Sequence, residues 1–377
     1  MVMKILFAGG GTAGHILPII AIARELRRLH KETDLEFYYL GPWDDFGHLL
    51  LSQEGIKTKT IRAGKVRRYG GFHATLHNFI DVFFNTPVGI LQAFWYIFFL
   101  SPHLLFTKGG YGAIPATIAS WFLRTPIFLH ESDIVPGIAN RIGGFFAREV
   151  FVSFPQTRSF SPKKMILVGN PIRRAMLDGS EQEAKRIFNL KGDKPLILIL
   201  GGSQGAQKIN DMLLSILPEA VQYFEIIHQT GDKSFKQVRA EADVMLPDES
   251  DRAYYHLVPF MRETELKDAY AAAHFIVSRA GSGSIFEIAV FEKPSILIPL
   301  AGSAQNHQYA NAYAYAATGA AVVLEESNLT PHFFLERLKY LSSSTKERNT
   351  MTAAAKKFAK PEAARIIANY ILEYLAR

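Results

Sequence analysis

Two apolar strands, each running straight into a glycine turn and then a helix, constrain this chain more than any other feature. The first reads "KILFAGGGTAGH" (residues 4–15) and the second "PLILILGGSQGA" (residues 195–206). An unbroken apolar run before such a turn marks a strand covered on both faces, which belongs to a parallel sheet flanked by helices. Behind the first turn Ile19, Ile22, Leu26 and Leu29 recur at helical spacing, with Pro18 expected in the helix's first turn. Further strands are expected at "LEFYYLG", "LLFTKGG", "PIFLHE" and "EVFVSF" in the first half. In the second they are "FEIIHQTG", "YYHLVPF", "HFIVSRAG", "PSILIPL" and "AAVVLEE". Alternation of strands and helices restarted at a second glycine turn predicts an α/β chain with two Rossmann-like, doubly wound parallel-sheet domains facing a cleft. A length of 377 residues agrees, since single cores rarely exceed about 250–300 residues. The expected division is 1–168, 169–345 and 346–377, with "VGNPIRRAM" (residues 168–176) at the first boundary, where Asn170 and Pro171 break the pattern. The last segment carries Ile366, Ile367, Tyr370, Ile371 and Tyr374 at helical spacing and is expected to pack back across the domains.

Composition narrows the chemistry. The chain is 48% hydrophobic and 20% charged, which excludes wholesale disorder. It has no cysteine, so thiolate nucleophiles, disulfides and cysteine-held metals are excluded. Its N-terminus enters a strand without the basic and apolar regions of a signal peptide, making the cytoplasm the expected compartment. A net charge of +7 and a pI near 9.3 point to anionic partners. No RNA-recognition motif, zinc finger or basic arm is visible, so nucleic acid is not expected.

Gly9, Gly11 and Gly14 satisfy the dinucleotide-binding pattern G-x-G-x-x-G. A dehydrogenase also needs an acid at the end of the second strand. Here that strand ends in Gly41 and Pro42, with Asp44 and Asp45 only in the loop beyond. What survives is a helix N-terminus whose amides suit an anion, and Gly201 to Gly205 repeat the offer. Two such turns fit a diphosphate-bearing substrate with a second substrate opposite. His15 follows the first turn at a helix start, a position that disfavours the imidazolium. A neutral histidine there can accept a hydroxyl proton as a general base.

The segments "GGGTAGH", "TKGGYG", "HESDIVPGIANR", "VGNPIR", "GGSQGA", "SRAGSGSIFEI" and "NHQYANA", in this order, resemble the MurG family. Members are bacterial N-acetylglucosaminyltransferases of the GT-B fold, without an obligatory metal or cofactor. The resemblance implies transfer of N-acetylglucosamine from UDP-N-acetylglucosamine to the C4 hydroxyl of undecaprenyl-diphospho-N-acetylmuramoyl-pentapeptide, with inversion. By the same resemblance, Arg173, Ser203 and the amides of the Gly201–Gly205 turn would hold the UDP diphosphate. Glu287 would take the ribose hydroxyls, and Ser282, Gly283, Ser284, Ile285 and Phe286 would line its turn. Met261 would offer backbone groups to uracil, and His307 and Gln308 would read the sugar. Thr12, Ala13 and Gly14 would face the sugar and the acceptor diphosphate, with His15 as the base and no metal in the site. Glu131 reads as a carboxylate that holds loop amides. Two departures stand out. Ala13 replaces a family glycine, and Asp133 replaces an asparagine assigned to the donor sugar; a carboxylate can only accept where an amide also donates. A transferase for another lipid acceptor, a UDP-sugar epimerase and a non-catalytic UDP-sugar-binding membrane module are the alternative readings.

Residues 62–100 turn from basic to strongly apolar. Val88 to Leu100 is too short for a bilayer, which takes about 20 residues, and Asp81, Asn85 and Pro87 interrupt a longer run. Two readings stay open. Either Phe94, Ile97 and Phe98 belong to a core helix, or part of the segment lies in an anionic membrane surface beside Lys65, Arg67 and Arg68. The family's lipid-linked acceptor implies the second, a peripheral enzyme on the cytoplasmic face of the cell membrane. Proteins of cell-wall synthesis and division would be its partners.

Overall fold

The computed structural model describes residues 2–10, 13–30, 34–64, 78–79, 81–201 and 206–376. The chain forms two compact units, Met1–Arg173 with Glu362–Arg377, and Arg174–Pro361. The division falls inside the expected 168–176 segment. The return to the first unit starts at Glu362 and not at 346, because helix Thr345–Phe358 packs within the second unit and only helix Ala363–Leu375 joins the first.

The first unit holds seven parallel strands, β1 (Met3–Gly9), β2 (Leu35–Gly41), β3 (Lys57–Thr60), β4 (Leu104–Gly109), β5 (Ile127–Glu131), β6 (Glu149–Val152) and β7 (Met165–Leu167). Their order is β3-β2-β1-β4-β5-β6-β7. One face buries Phe7, Phe37, Phe106, Phe128 and Phe151 against helices Ala13–Leu29 and Ala363–Leu375. The other buries Leu6, Leu105, Leu129 and Val150 under Ala93, Ile97 and Ala116 of helices Thr86–Leu100 and Ile114–Phe122. Covering both faces is what the unbroken apolar runs require, and each fully buried leucine or phenylalanine contributes about 1.5–3 kcal/mol.

The second unit holds β8 (Leu196–Leu200), β9 (Glu225–Gln229), β10 (Tyr255–Val258), β11 (Phe275–Ser278), β12 (Ser295–Leu297) and β13 (Ala321–Val323). They are parallel and ordered β10-β9-β8-β11-β12-β13. In each sheet the order reverses beside the strand that carries the glycine turn, between β1 and β4 and between β8 and β11. Open α/β sheets bind ligands at such switch points, outside the strands' C-terminal ends.

Pro18 departs from expectation. It is the sixth residue of helix Ala13–Leu29, not in its first turn. Having no N–H, it cannot donate to the carbonyl of Gly14 one turn earlier. Ala13 opens this helix, so its φ is negative and a residue other than glycine is tolerated.

The apolar segment is continuous where the sequence reading broke it. A π-helical turn at Asp81–Asn85 leads into helix Thr86–Leu100, and together they are long and apolar enough to cross a membrane by length and composition. Asp81 and Asn85 do not break the helix, because the Asn85 amide donates to the Asp81 carboxylate at 2.7 Å. Pro87 lies in the first turn of the α-helical part, where its missing N–H costs little. Gly89, Ala93 and Ile97 are buried within the first unit, while Leu91, Trp95, Phe98 and Phe99 are exposed. Ile97 thus belongs to the core and Phe98 to the surface.

Candidate functional site

In the first unit the switch point brings two glycine turns together. β1 and β4 pair through Ala8↔Thr107, then slip so that Gly9 faces Gly109. Lys108 is therefore the extra residue of a β-bulge. Gly110 follows at φ 79° and ψ 164°, a conformation open only to glycine. His15, third residue of its helix and half-buried, rests against both turns. A Cβ on Gly10 would lie 3.2 Å from His15 Cε1 and Nδ1, and one on Gly110 would lie 3.0 Å from His15 Nε2 and from Gly10 Cα. The His15 pKa is pushed down to about 4, first by removal from water and then by the charge of Lys108. The sequence reading expected a lowered value from the helix start; burial and a buried ammonium are the larger causes.

Behind this ring lies a polar network at the ends of β4 and β5. The Lys108 ammonium donates to His130 Nδ1 at 2.6 Å, to Ser132 Oγ, and to Asn170 Oδ1 at 3.4 Å. His130 Nε2 faces the Gly169 carbonyl at 3.0 Å, so that nitrogen carries the proton and Nδ1 receives the ammonium. Burial and the neighbouring ammonium hold His130 well below the usual histidine range. Glu131 accepts the Asp133 N–H at 2.8 Å and the Asn140 amide at 2.7 Å, which is the loop-holding role read from the sequence. Burial, then the nearby Asp133, raises the Glu131 pKa. Asp133 itself is half-buried and Gly14 is exposed, while Arg173 is buried as the last residue of the unit. Thr12 and the side chain of Ala13 lie outside the described residues, as do Lys65, Arg67 and Arg68. Lys108, quoted in "TKGGYG", had no expected role; a lysine at a strand end gives no signal until the bulge and its three acceptors are seen.

In the second unit the expected residues follow the C-terminal ends of β8, β10, β11 and β12, along one edge of the sheet. Gly201 ends the β8 run, where a Cβ would meet Ala206 N at 2.9 Å and Gln229 O at 3.2 Å. Ser203 and the rest of that turn lie outside the described residues. Met261 is buried, and its N–H donates to Gln229 Oε1 at 2.9 Å, so only its carbonyl is left for a base edge. After β11, Gly281 caps helix Ser282–Val290 without a side-chain hydrogen bond. Ser282 is buried, and Gly283 and Ser284 are half-buried near the helix start. Ile285 and Phe286 do not line a surface turn with their side chains. Both are fully buried, with the Phe286 ring 5.0 Å from that of Phe358, so only their backbone can reach a ligand.

Glu287 is half-buried, and its Oε2 accepts the hydroxyl of Tyr270 at 3.2 Å. Tyr270, fully buried and stacked on Phe291 at 5.0 Å, orients that carboxylate and was not expected from sequence. Gln305 and Asn306 take left-handed φ of 56° and 54° before His307 opens a helix. Gln308 accepts the Leu300 N–H at 3.0 Å and donates its own N–H to Ser303 at 3.4 Å, tying the β12 loop to that helix. Among the described residues, no three His, Cys, Asp or Glu side chains gather as metal ligands would.

The glycosyltransferase family 28 N-terminal domain matches residues 5–152, and the family 28 C-terminal domain matches residues 196–367. The UDP-N-acetylglucosamine--N-acetylmuramyl-(pentapeptide) pyrophosphoryl-undecaprenol N-acetylglucosamine transferase 3 of Bacillus thuringiensis (strain Al Hakam) is 35% identical over 372 residues, covering 98% of this chain and 99% of its own. The transferase of the same description from Clostridium tetani (strain Massachusetts / E88) is 35% identical over 343 residues, 90% of each chain. Among solved structures, Acinetobacter baumannii MurG aligns with TM-score 0.74 at 24% identity, covering 98% of this chain and 99% of its own. The UDP-GlcNAc 2-epimerase from Neisseria meningitidis aligns with TM-score 0.69 at 14% identity, over 98% and 100%. These two alignments show a shared fold of two α/β units, GT-B. Both family domains and the near-full-length identity place the chain in glycosyltransferase family 28, as a member of the MurG family.

Proposed function

We propose that the protein transfers N-acetylglucosamine from UDP-N-acetylglucosamine to the C4 hydroxyl of undecaprenyl-diphospho-N-acetylmuramoyl-pentapeptide, completing the lipid-linked precursor of peptidoglycan. One observation carries this reading: identity to transferases named for that acceptor runs through 98% of the chain.

In the first unit, His15 accepts the hydroxyl proton as the acceptor oxygen bonds to the anomeric carbon from the face opposite the diphosphate. The bond from that carbon to the diphosphate oxygen breaks, and UDP leaves with the electron pair, so the centre inverts. A pKa pushed down to about 4 keeps His15 neutral until substrate phosphates raise it. Thr12, Ala13 and Gly14 face the acceptor diphosphate and the sugar. In the second unit, Ser203 and the amides of the Gly201–Gly205 turn hold the donor diphosphate, and Arg173 adds a guanidinium able to bind phosphate by two hydrogen bonds. Glu287, oriented by Tyr270, accepts both ribose hydroxyls, and Met261 offers its carbonyl to uracil. Ser282, Gly283, Ser284 and the backbone of Ile285 and Phe286 border the nucleotide. His307 and Gln308 contact the sugar, and Asp133 accepts one of its hydroxyls. No cofactor is required by these steps.

Docking on the anionic cytoplasmic membrane face is supported by exposed aromatics on three successive helices of the first unit. They are Trp95 and Phe99, then Trp121 and Phe122, then Phe145. Such a surface suits the headgroup and acyl boundary where the lipid acceptor resides. Proteins of cell-wall synthesis and division are the expected neighbours. The reading is tested by incubating radiolabelled donor with a short-chain analogue of the muramoyl lipid; acceptor-dependent product supports it, and donor left unchanged contradicts it.

A further inference from the structure

Nothing in the transfer chemistry above uses Lys108, yet its buried ammonium is held by three acceptors. Its side chain is 2% exposed, and burying an ammonium is costly unless it is well paired. Its backbone forms the bulge that lets Gly9 face Gly109, and bulges next to active sites commonly re-aim a side chain. A Cβ on Gly9 would lie 3.4 Å from His15 Cβ and 3.8 Å from Lys108 Cβ, so the two residues flank one glycine. The ammonium reaches His130 and Ser132 at the end of β5, next to Asp133, and Asn170, three residues before Arg173.

We infer that Lys108 is a positioning residue for transfer: its ammonium ties the β5 loop and the chain leading to Arg173 to the bulged β4 turn on which His15 rests. It touches no reacting atom. Removing it frees the bulge, loosens the Gly109–Gly110 turn behind the His15 ring and withdraws a positive charge from that ring. The ionisable groups around the ammonium are Glu131 and Asp133, which favour its charge, and the imidazoles of His130 and His15, both of which its charge lowers. This inference rests on the proposed role of His15, and the experiment separates the two.

Lys108→Met keeps the length and removes the charge; Lys108→Arg keeps the charge. In Lys108→Met, kcat falls by about 10–100-fold through loss of alignment, while the donor KM and the UDP Kd stay within about twofold. Lys108→Arg recovers part of kcat. Separately, histidine-labelled full-length protein is titrated by NMR without substrate, and the His15 midpoint moves to higher pH in Lys108→Met. If Lys108→Met does not fold, Ser132→Ala and Asn170→Ala each remove one acceptor and keep the ammonium, so they are read by kcat against donor KM alone: a fall in kcat with donor KM held supports the inference, and wild-type kcat in both overturns it. Wild-type kcat with an unmoved His15 titration overturns the inference. A wild-type protein that fails to transfer sugar, with His15 still shifted in Lys108→Met, overturns the transferase reading and leaves the Lys108–His15 link standing.

Discussion

Replacing Gly110 with alanine is the sharpest test of how the first unit holds His15. The native backbone there has φ 79° and ψ 164°. An alanine in that region costs about 1–3 kcal/mol. Its methyl would also arrive 3.0 Å from His15 Nε2, Gly10 N and Gly10 Cα, tighter than ordinary contact, so the turn or the imidazole must yield by several tenths of an ångström. A 1 Å displacement at a reacting group can cost about 10²-fold in rate, so this shift predicts a kcat loss of about tenfold or more. The UDP Kd should hold, because the residues proposed for the nucleotide belong largely to the second unit. Gly192→Ala is the control. It has a comparable φ of 77°, but a Cβ there meets only Lys185 Cε at 3.7 Å, and Lys185 is no proposed site residue. Both variants should melt several degrees lower, at about 2–4 °C per kcal/mol for a unit of this size. Only Gly110→Ala should lose turnover. A folded Gly110→Ala enzyme with full kcat, or an equal loss in Gly192→Ala, would refute the reasoning.

Other outcomes follow from the same geometry. His15→Ala should cut turnover by roughly 10²–10⁴ with UDP binding retained by calorimetry; unchanged turnover would remove the base assignment. Glu287→Gln should weaken UDP binding about 10–100-fold through loss of a charged acceptor worth about 1.5–3 kcal/mol, and Tyr270→Phe should weaken it less. His228 is held between Tyr255 and Asn210 and pushed down to about 3 by burial. The unfolded chain takes up that proton near pH 6.5, so the group withdraws stability as pH falls below 6.5. The denaturant midpoint should therefore drop between pH 7 and pH 5 by more in wild type than in His228→Gln. Trp95→Asp combined with Phe99→Asp should reduce sedimentation with anionic vesicles; undiminished binding would remove the proposed membrane face.

β1, β8 and β11 were legible in the sequence because their apolar runs are buried on both faces. β3 and β7 were not visible, because neither carries a buried apolar run. β3 is "KTKT", mostly exposed, and exists through its pairing with β2; β7 is three residues long and partly exposed. The first glycine turn and His15 could be picked out as candidate site residues because a glycine turn at a helix start has a distinct chemical signature. Lys108 and Tyr270 were not, since a bulge and a buried hydroxyl aimed at a carboxylate arise only from packing. The same limit explains Ile285 and Phe286, placed at a ligand turn by their position in "GSGSIFEI" but turned inward by the helix period. Pro18 shows how a start signal can mislead, because the helix begins five residues before it.

The most direct measurement of the central claim is the fate of labelled UDP-N-acetylglucosamine with and without a short-chain diphospho-N-acetylmuramoyl-pentapeptide lipid. The account predicts UDP release that requires the lipid, in equal amount to a product bearing β-linked N-acetylglucosamine on the C4 oxygen. Lipid-independent conversion of the donor sugar to its 2-epimer, or no consumption of donor with the lipid present, would contradict it.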